Sequence, residues 1–223
     1  MVKYHPDTRF LTDYVAGSLP ETQALCVAAH LHYCPACRVK VGELTELGTT
    51  LFIGQQPVAT DAACFERTMA MIDAGAGSRT THARQPKHGN TEDGMPSAIR
   101  KLTHGNLESL SWRHIGKAFR YATINMGDSK RETSLMHIRA GGKLPKHHHH
   151  GDEITVVLKG SFSDQEDRYH VGDYIVRTSG ETHTPVASQD EDCLCLATLD
   201  APIVMNNWFY RLLTPFLNRT AAG

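Results

Sequence analysis

The chain has 223 residues, enough for one large domain or two small ones. Its 23 Lys and Arg against 24 Asp and Glu leave a formal net charge of −1, which argues against the basic field of a protein that grips nucleic acid or an anionic membrane by charge. No apolar run approaches the ~20 residues needed to span a bilayer, and MVKYHPDTRF lacks the basic start and apolar core of a signal peptide, so a cytoplasmic protein is expected.

The first part reads as helical. TRFLTDYVAG places Phe10, Leu11, Tyr14 and Val15 on one side, with Gly17 as the stop. SLPE then puts Ser18 at an N-cap and Glu21 three residues later, a capping box for a helix through TQALCVAAHLHYC. Pro35 suits the first turn of the next helix, PACRVKVGELTELGTTLF. A fourth helix is expected in DAACFERTMAMIDAG, opening near Asp61 and ending at Gly75. The polar stretch Gly75 to Ser97 has no apolar period and reads as a linker.

Beyond it the period changes to two. FRYATINM, TSLMHIRAG, EITVVLKGSFS, YHVGDYIVRTSG and CLCLATL read as strands broken by Gly, Asp and Ser, the spacing of a small sandwich or barrel. WFYRLLTPFL near the end is a short amphipathic piece.

Six cysteines are present, and in a reducing compartment such spacings favour metal sites or redox thiols over disulfides. HLHYCPAC supplies His30-x3-Cys34-x2-Cys37. His30 and Cys34, four apart on a helix, share one face, and Cys37 follows the Pro35 break, where the chain can curl back. Zinc takes thiolate and imidazole tetrahedrally, so a fourth ligand is needed, and His5 is the best candidate. His32 falls on another helix face. Structural zinc contributes about 10–16 kcal/mol of apparent binding free energy, a large gain for so small a helical unit. The set His5, His30, Cys34 and Cys37 resembles the zinc-binding anti-sigma domain. That resemblance implies helices that embrace a sigma factor and hide the surfaces it needs for RNA polymerase.

A second histidine-rich stretch is KHHHHGDE, Lys146 to Glu153. Side chains alternate across a strand, so His147 and His149 share one face and His148 and His150 the other. Gly141-x5-His147-x-His149-x3-Glu153-x6-Gly160 resembles the first cupin motif spacing for spacing, whereas the pair His148 and His150 leaves Glu153 one residue too close. Gly172-x7-Gly180-x2-His183 resembles the second motif, with Thr178 where a proline is usual and Ala187 at the final asparagine position. His147, His149, Glu153 and His183 thus offer three imidazoles and a carboxylate, a set that suits Zn²⁺ or another divalent transition metal such as Fe²⁺, Mn²⁺ or Ni²⁺.

In this order the two halves resemble the ChrR-type zinc anti-sigma factors. The fold class implied is a two-domain α plus β chain: a small zinc-binding helical bundle followed by a cupin β-barrel, a double-stranded β-helix. The expected boundaries are a helical domain over 1–85, a linker over 86–100, a cupin domain over 101–205 and a C-terminal tail, helical in part, over 206–223. The resemblance implies zinc in both sites and an extracytoplasmic-function sigma factor as partner, released in response to singlet oxygen or a related oxidant, with no turnover and no direct contact with nucleic acid. Cys193 and Cys195 lie two apart on one strand face, as redox thiols or as ordinary buried residues. Cys26 and Cys64 read as helix core. The competing function is a metal-dependent cupin enzyme, a dioxygenase or isomerase, with a helical regulatory domain.

Overall fold

In a computed structural model the described residues are 1–61, 63–76, 94–201 and 203–205. α1 (Thr8–Val15) opens at Asp7, whose carboxylate accepts the Phe10 amide. α2 (Glu21–Tyr33) starts differently from expectation, because no capping box forms. Pro20 occupies the N-cap and presets the entry with φ −51°, and the Ser18 hydroxyl donates instead to the Asp13 carbonyl. α3 (Pro35–Ile53) follows after a single residue, Cys34, which ends α2 and caps α3. α4 (Cys64–Ala76) begins just past Asp61, whose carboxylate accepts the Ala63 amide.

Most of the expected linker, and the whole 206–223 tail, lie outside the described residues. Part of 86–100 is helical: α5 (Ser97–Leu102) packs on α2 and buries Ile99 completely. With six residues, α5 is too short to show an apolar period.

Twelve strands follow among the described residues. β1 (Arg113–Ile115), β2 (Phe119–Ile124), β3 (Glu132–Ile138), β11 (Cys193–Leu199), β5 (Glu153–Lys159) and β8 (Tyr174–Arg177) form an antiparallel sheet in the order β1-β2-β3-β11-β5-β8. β6 (Ser161–Ser163), β7 (Arg168–His170) and β10 (Val186–Ala187) form a second sheet, and β4 (His147–His149), β9 (Thr182–His183) and β12 (Ile203–Met205) a third. Gly160 and Gly172, at φ 70° and 91°, divide the long apolar runs into β5–β6 and β7–β8.

The large sheet is buried on both faces. Val157, Ile175, Cys193 and Cys195 face Phe162 and Tyr169 of the second sheet. Ile154, Val156, Leu158, Leu194 and Leu196 face the helices and share one core with Leu25, Cys26, Val27 and Ala29 of α2. Every residue from Glu153 to Leu158 is accordingly buried, where a period-two strand with one face in water would alternate. The helical and β-rich halves are therefore packed together, with α2 lying across β5, β8 and β11.

Candidate metal centres

The first cluster sits where α2 meets α3. Cys34 Sγ accepts the Cys37 amide at 3.4 Å, which curls the first turn of α3 around the sulfur. Cys34 Sγ lies 3.4 Å and Cys37 Sγ 3.5 Å from His5 Nδ1. A tetrahedral zinc with bonds of about 2.3 Å to sulfur and about 2.1 Å to nitrogen sets such neighbours about 3.5 Å apart. His30 completes the group: donor atoms of His5, His30, Cys34 and Cys37 all lie within 4.8 Å of one another. His30 Nδ1 donates to the Gly172 carbonyl at 2.6 Å, which leaves Nε2 bare, and that buried atom has no hydrogen-bond partner. An orphaned imidazole nitrogen aimed at two thiols fits a metal ligand. Burial lowers the His30 pKa to about 4, so the ring is neutral, while burial and the contact with Cys34 push the Cys37 thiol up to about 11. His32 is exposed and outside the group.

The second cluster is built from β4, β5 and β9. Along β4 the side chains alternate: His147 and His149 are buried, His148 is half-buried, and His150 just beyond is exposed. His147 lies opposite His183 in the β4–β9 ladder. The ligand atoms of His147, His149, Glu153 and His183 lie within 4.8 Å of one another. His183 Nε2 is 2.9 Å from His147 Nε2 and 3.1 Å from His149 Nε2, and His149 Nε2 is 3.0 Å from Glu153 Oε2.

These contacts are informative because the outer partners fix the tautomers. His147 Nδ1 faces the Pro145 carbonyl at 3.0 Å and His183 Nδ1 faces the Asp164 carboxylate at 3.2 Å. Both partners only accept, so each ring donates from Nδ1 and turns its Nε2 inward. Burial and the neighbouring His183 lower the pKa of His147 and of His149 to about 4, so those rings stay neutral. Three imidazole nitrogens and a carboxylate oxygen thus converge on one point. The donor set therefore fits a divalent metal ion.

The surroundings orient this cluster. Thr155 donates to Glu153 Oε1 at 2.8 Å. The Asp164 side chain is fully buried, and Arg177 Nη2 donates to it at 2.6 Å. Burial alone would raise the Asp164 carboxyl, but His183, the Glu166 amide and the Arg177 charge outweigh it and hold it well below the usual carboxylate range. Sequence reasoning missed Asp164, Arg177 and Thr155. Asp164 falls in SDQED, which reads as an ordinary turn, and only the folded chain brings it to His183.

Cys193 and Cys195 are both buried, with sulfurs 3.6 Å apart. Cys195 lines a small, mostly apolar cavity beside His147, Glu153 and His183, together with Phe119 and Met136. Contact with Cys193 and burial push the Cys195 thiol well up, so it holds its proton and is a poor nucleophile. Cys26 is buried in the helical core, whereas Cys64 is only partly buried at the start of α4, against the core position expected of it.

Comparison with known proteins locates both halves. A family described as the ChrR cupin-like domain matches residues 101–201, and a zinc-finger family matches residues 8–38. The anti-sigma-E factor ChrR of Cereibacter sphaeroides is 34% identical over 215 residues, covering 96% of this chain and 98% of the relative. The crystal structure of Rhodobacter sphaeroides SigE in complex with the anti-sigma ChrR contains a chain 31% identical, with a TM-score of 0.72 over 89% of this chain and 99% of that one. The β-rich half is thus a cupin-like fold, and the N-terminal region carries the features of a zinc site.

Proposed function

The chain belongs to the ChrR family of anti-sigma factors, and on that premise we propose that it sequesters an extracytoplasmic-function sigma factor in the cytoplasm and releases it on oxidation. The observation that carries the partner is an apolar surface that stays exposed among the described residues. On α4, Phe65, Met69 and Ile72 form a stripe at helical spacing, and the distal half of α3 adds Leu47, Leu51, Phe52 and Ile53. Phe52 is 78% and Phe65 68% exposed, far more apolar surface than a helix leaves in water without a partner. The family relative assembles with SigE, and an exposed apolar surface of this kind suits such an assembly.

In this reading residues 1–85 form the gripping unit and 101–205 the sensing unit, joined by 86–100. His5, His30, Cys34 and Cys37 hold a structural zinc that fixes the α2–α3 junction from which the apolar surface projects. His147, His149, Glu153 and His183 would hold a divalent ion by four protein donors, in a structural or sensory role. Singlet oxygen or a related oxidant would act at this second quartet, with its buried thiol neighbours Cys193 and Cys195 oxidised once the site opens.

The test is co-purification of the full chain with its sigma factor. Cys34→Ser should strip one metal and abolish co-purification, and a variant that kept both properties would contradict the proposal. The cavity beside the second quartet favours a second reading, a metal-dependent enzyme. Elemental analysis separates the two: zinc in both sites supports the sensor, iron in the second site the enzyme.

A further inference from the structure

We propose that the Gly172–Asp173 turn of the cupin half is the outer shell of the N-terminal zinc quartet, so that metal binding there and docking of the two halves are one linked event. The inference rests on the reading that this quartet holds a metal. Two of its four members are held from across the domain boundary. The Gly172 carbonyl accepts the Nδ1–H of His30 at 2.6 Å, and this bond fixes which nitrogen of His30 faces the metal. The Asp173 carboxylate accepts the backbone amides of Lys3 and Tyr4, at 2.7 and 3.0 Å, and so pins the segment that delivers His5. The Tyr174 amide donates back to the Tyr4 carbonyl at 3.0 Å. His30 and Asp173 are each no more than 1% exposed, so water does not replace these partners in the closed arrangement.

Gly172 serves two purposes. Its φ of 91° makes the β7–β8 turn, and its missing side chain lets α2 approach. A Cβ there would stand 2.7 Å from Tyr33 Cβ and 2.8 Å from Val2 Cγ2. The glycine that opens the second cupin motif is therefore also what brings a cupin carbonyl to His30.

The same strand reaches the other site. β8 runs from Tyr174 to Arg177, and Arg177 holds Asp164, which holds His183. Four residues of one strand join the outer shells of the two quartets, and a disturbance at His183 has a short covalent path to the groups that orient His5 and His30.

The test uses the full chain loaded with Co²⁺. Only the N-terminal quartet contains thiolates, so the sulfur-to-cobalt charge-transfer band reports that site alone. Competition with a graded chelator gives its affinity. Asp173→Ala should weaken N-terminal binding about 10- to 100-fold. Asp173→Asn keeps an oxygen for the Lys3 and Tyr4 amides but turns an NH2 toward the His170 amide that the second carboxylate oxygen accepts, and should recover part of the loss. Asp192→Ala removes a carboxylate that accepts the Ala140 amide elsewhere in the cupin half, and should leave the affinity unchanged. At the exposed end of the chain, Lys3→Pro deletes one donor to Asp173 without touching the cupin core and should also weaken binding relative to Lys3→Ala. Affinities of Asp173→Ala and Lys3→Pro that match their controls would overturn the proposal, as would an equal loss in Asp192→Ala. A wild-type chain with no thiolate band would instead sink the metal reading itself.

Discussion

His148 and His149 are neighbours in sequence with opposite surroundings, one half-buried on the outer face and one buried against Glu153. His149→Ala should therefore cost the protein about one equivalent of metal per chain, and His148→Ala none, measured by elemental analysis after dialysis. Asp164→Asn keeps the volume but removes the charge behind His183, and should weaken metal binding at that quartet about 10- to 100-fold in chelator competition. At the other quartet the sign with pH follows from Cys37. Its folded thiol titrates at about 11, so at neutral pH the metal-free form keeps the proton and metal uptake must expel it. N-terminal affinity should fall as pH drops, by about tenfold per pH unit for each proton released, read by competition between about pH 6 and about pH 8.

Elements show where local pattern suffices and where it does not. The period-two alternation pairs His147 with His149 and His148 with His150 from KHHHH alone, because side-chain direction in a strand is a local property, and the spacing to Glu153 that resembles a cupin motif chooses between the pairs. The His-x3-Cys-x2-Cys spacing likewise encodes a helix end and the turn after it. The capping box at Ser18 fails because Pro20 competes locally, and the outer partners Asp164, Arg177 and Gly172 are hidden because they are tertiary neighbours brought in by strand pairing. Packing of α2 on the sheet leaves a trace only in retrospect, as the adjacent apolar residues Val156, Val157 and Leu158 of β5. It predicts that Ile154→Ala, which empties a site between sheet and helices, costs about 2–4 kcal/mol in urea unfolding. Val176→Ala, on the exposed edge of β8, should cost under about 1 kcal/mol. The uncovered stripe of α4 gives the opposite pattern: Phe65→Asp should leave stability within about 0.5 kcal/mol while abolishing co-purification with the sigma factor.

At the scale of the whole molecule, two candidate ligand quartets on opposite sides of one sheet raise the question of how an event in the cupin half would reach the helices. α2 answers part of it, since it carries His30 and also packs on β5, β8 and β11. A chain whose halves share a core and an outer shell does not behave as two independent beads, and loosening one half removes hydrogen-bond partners from the other. Selective removal of the N-terminal metal by a thiol reagent should therefore be felt across the boundary. The Tyr174 amide, which donates to the Tyr4 carbonyl, should lose protection in hydrogen exchange. The Leu196 amide, deep in the β3–β11–β5 ladder, should keep its protection, because the sheet retains its own strands. If both amides exchange alike before and after metal removal, the halves are packed but not coupled through the β8 edge.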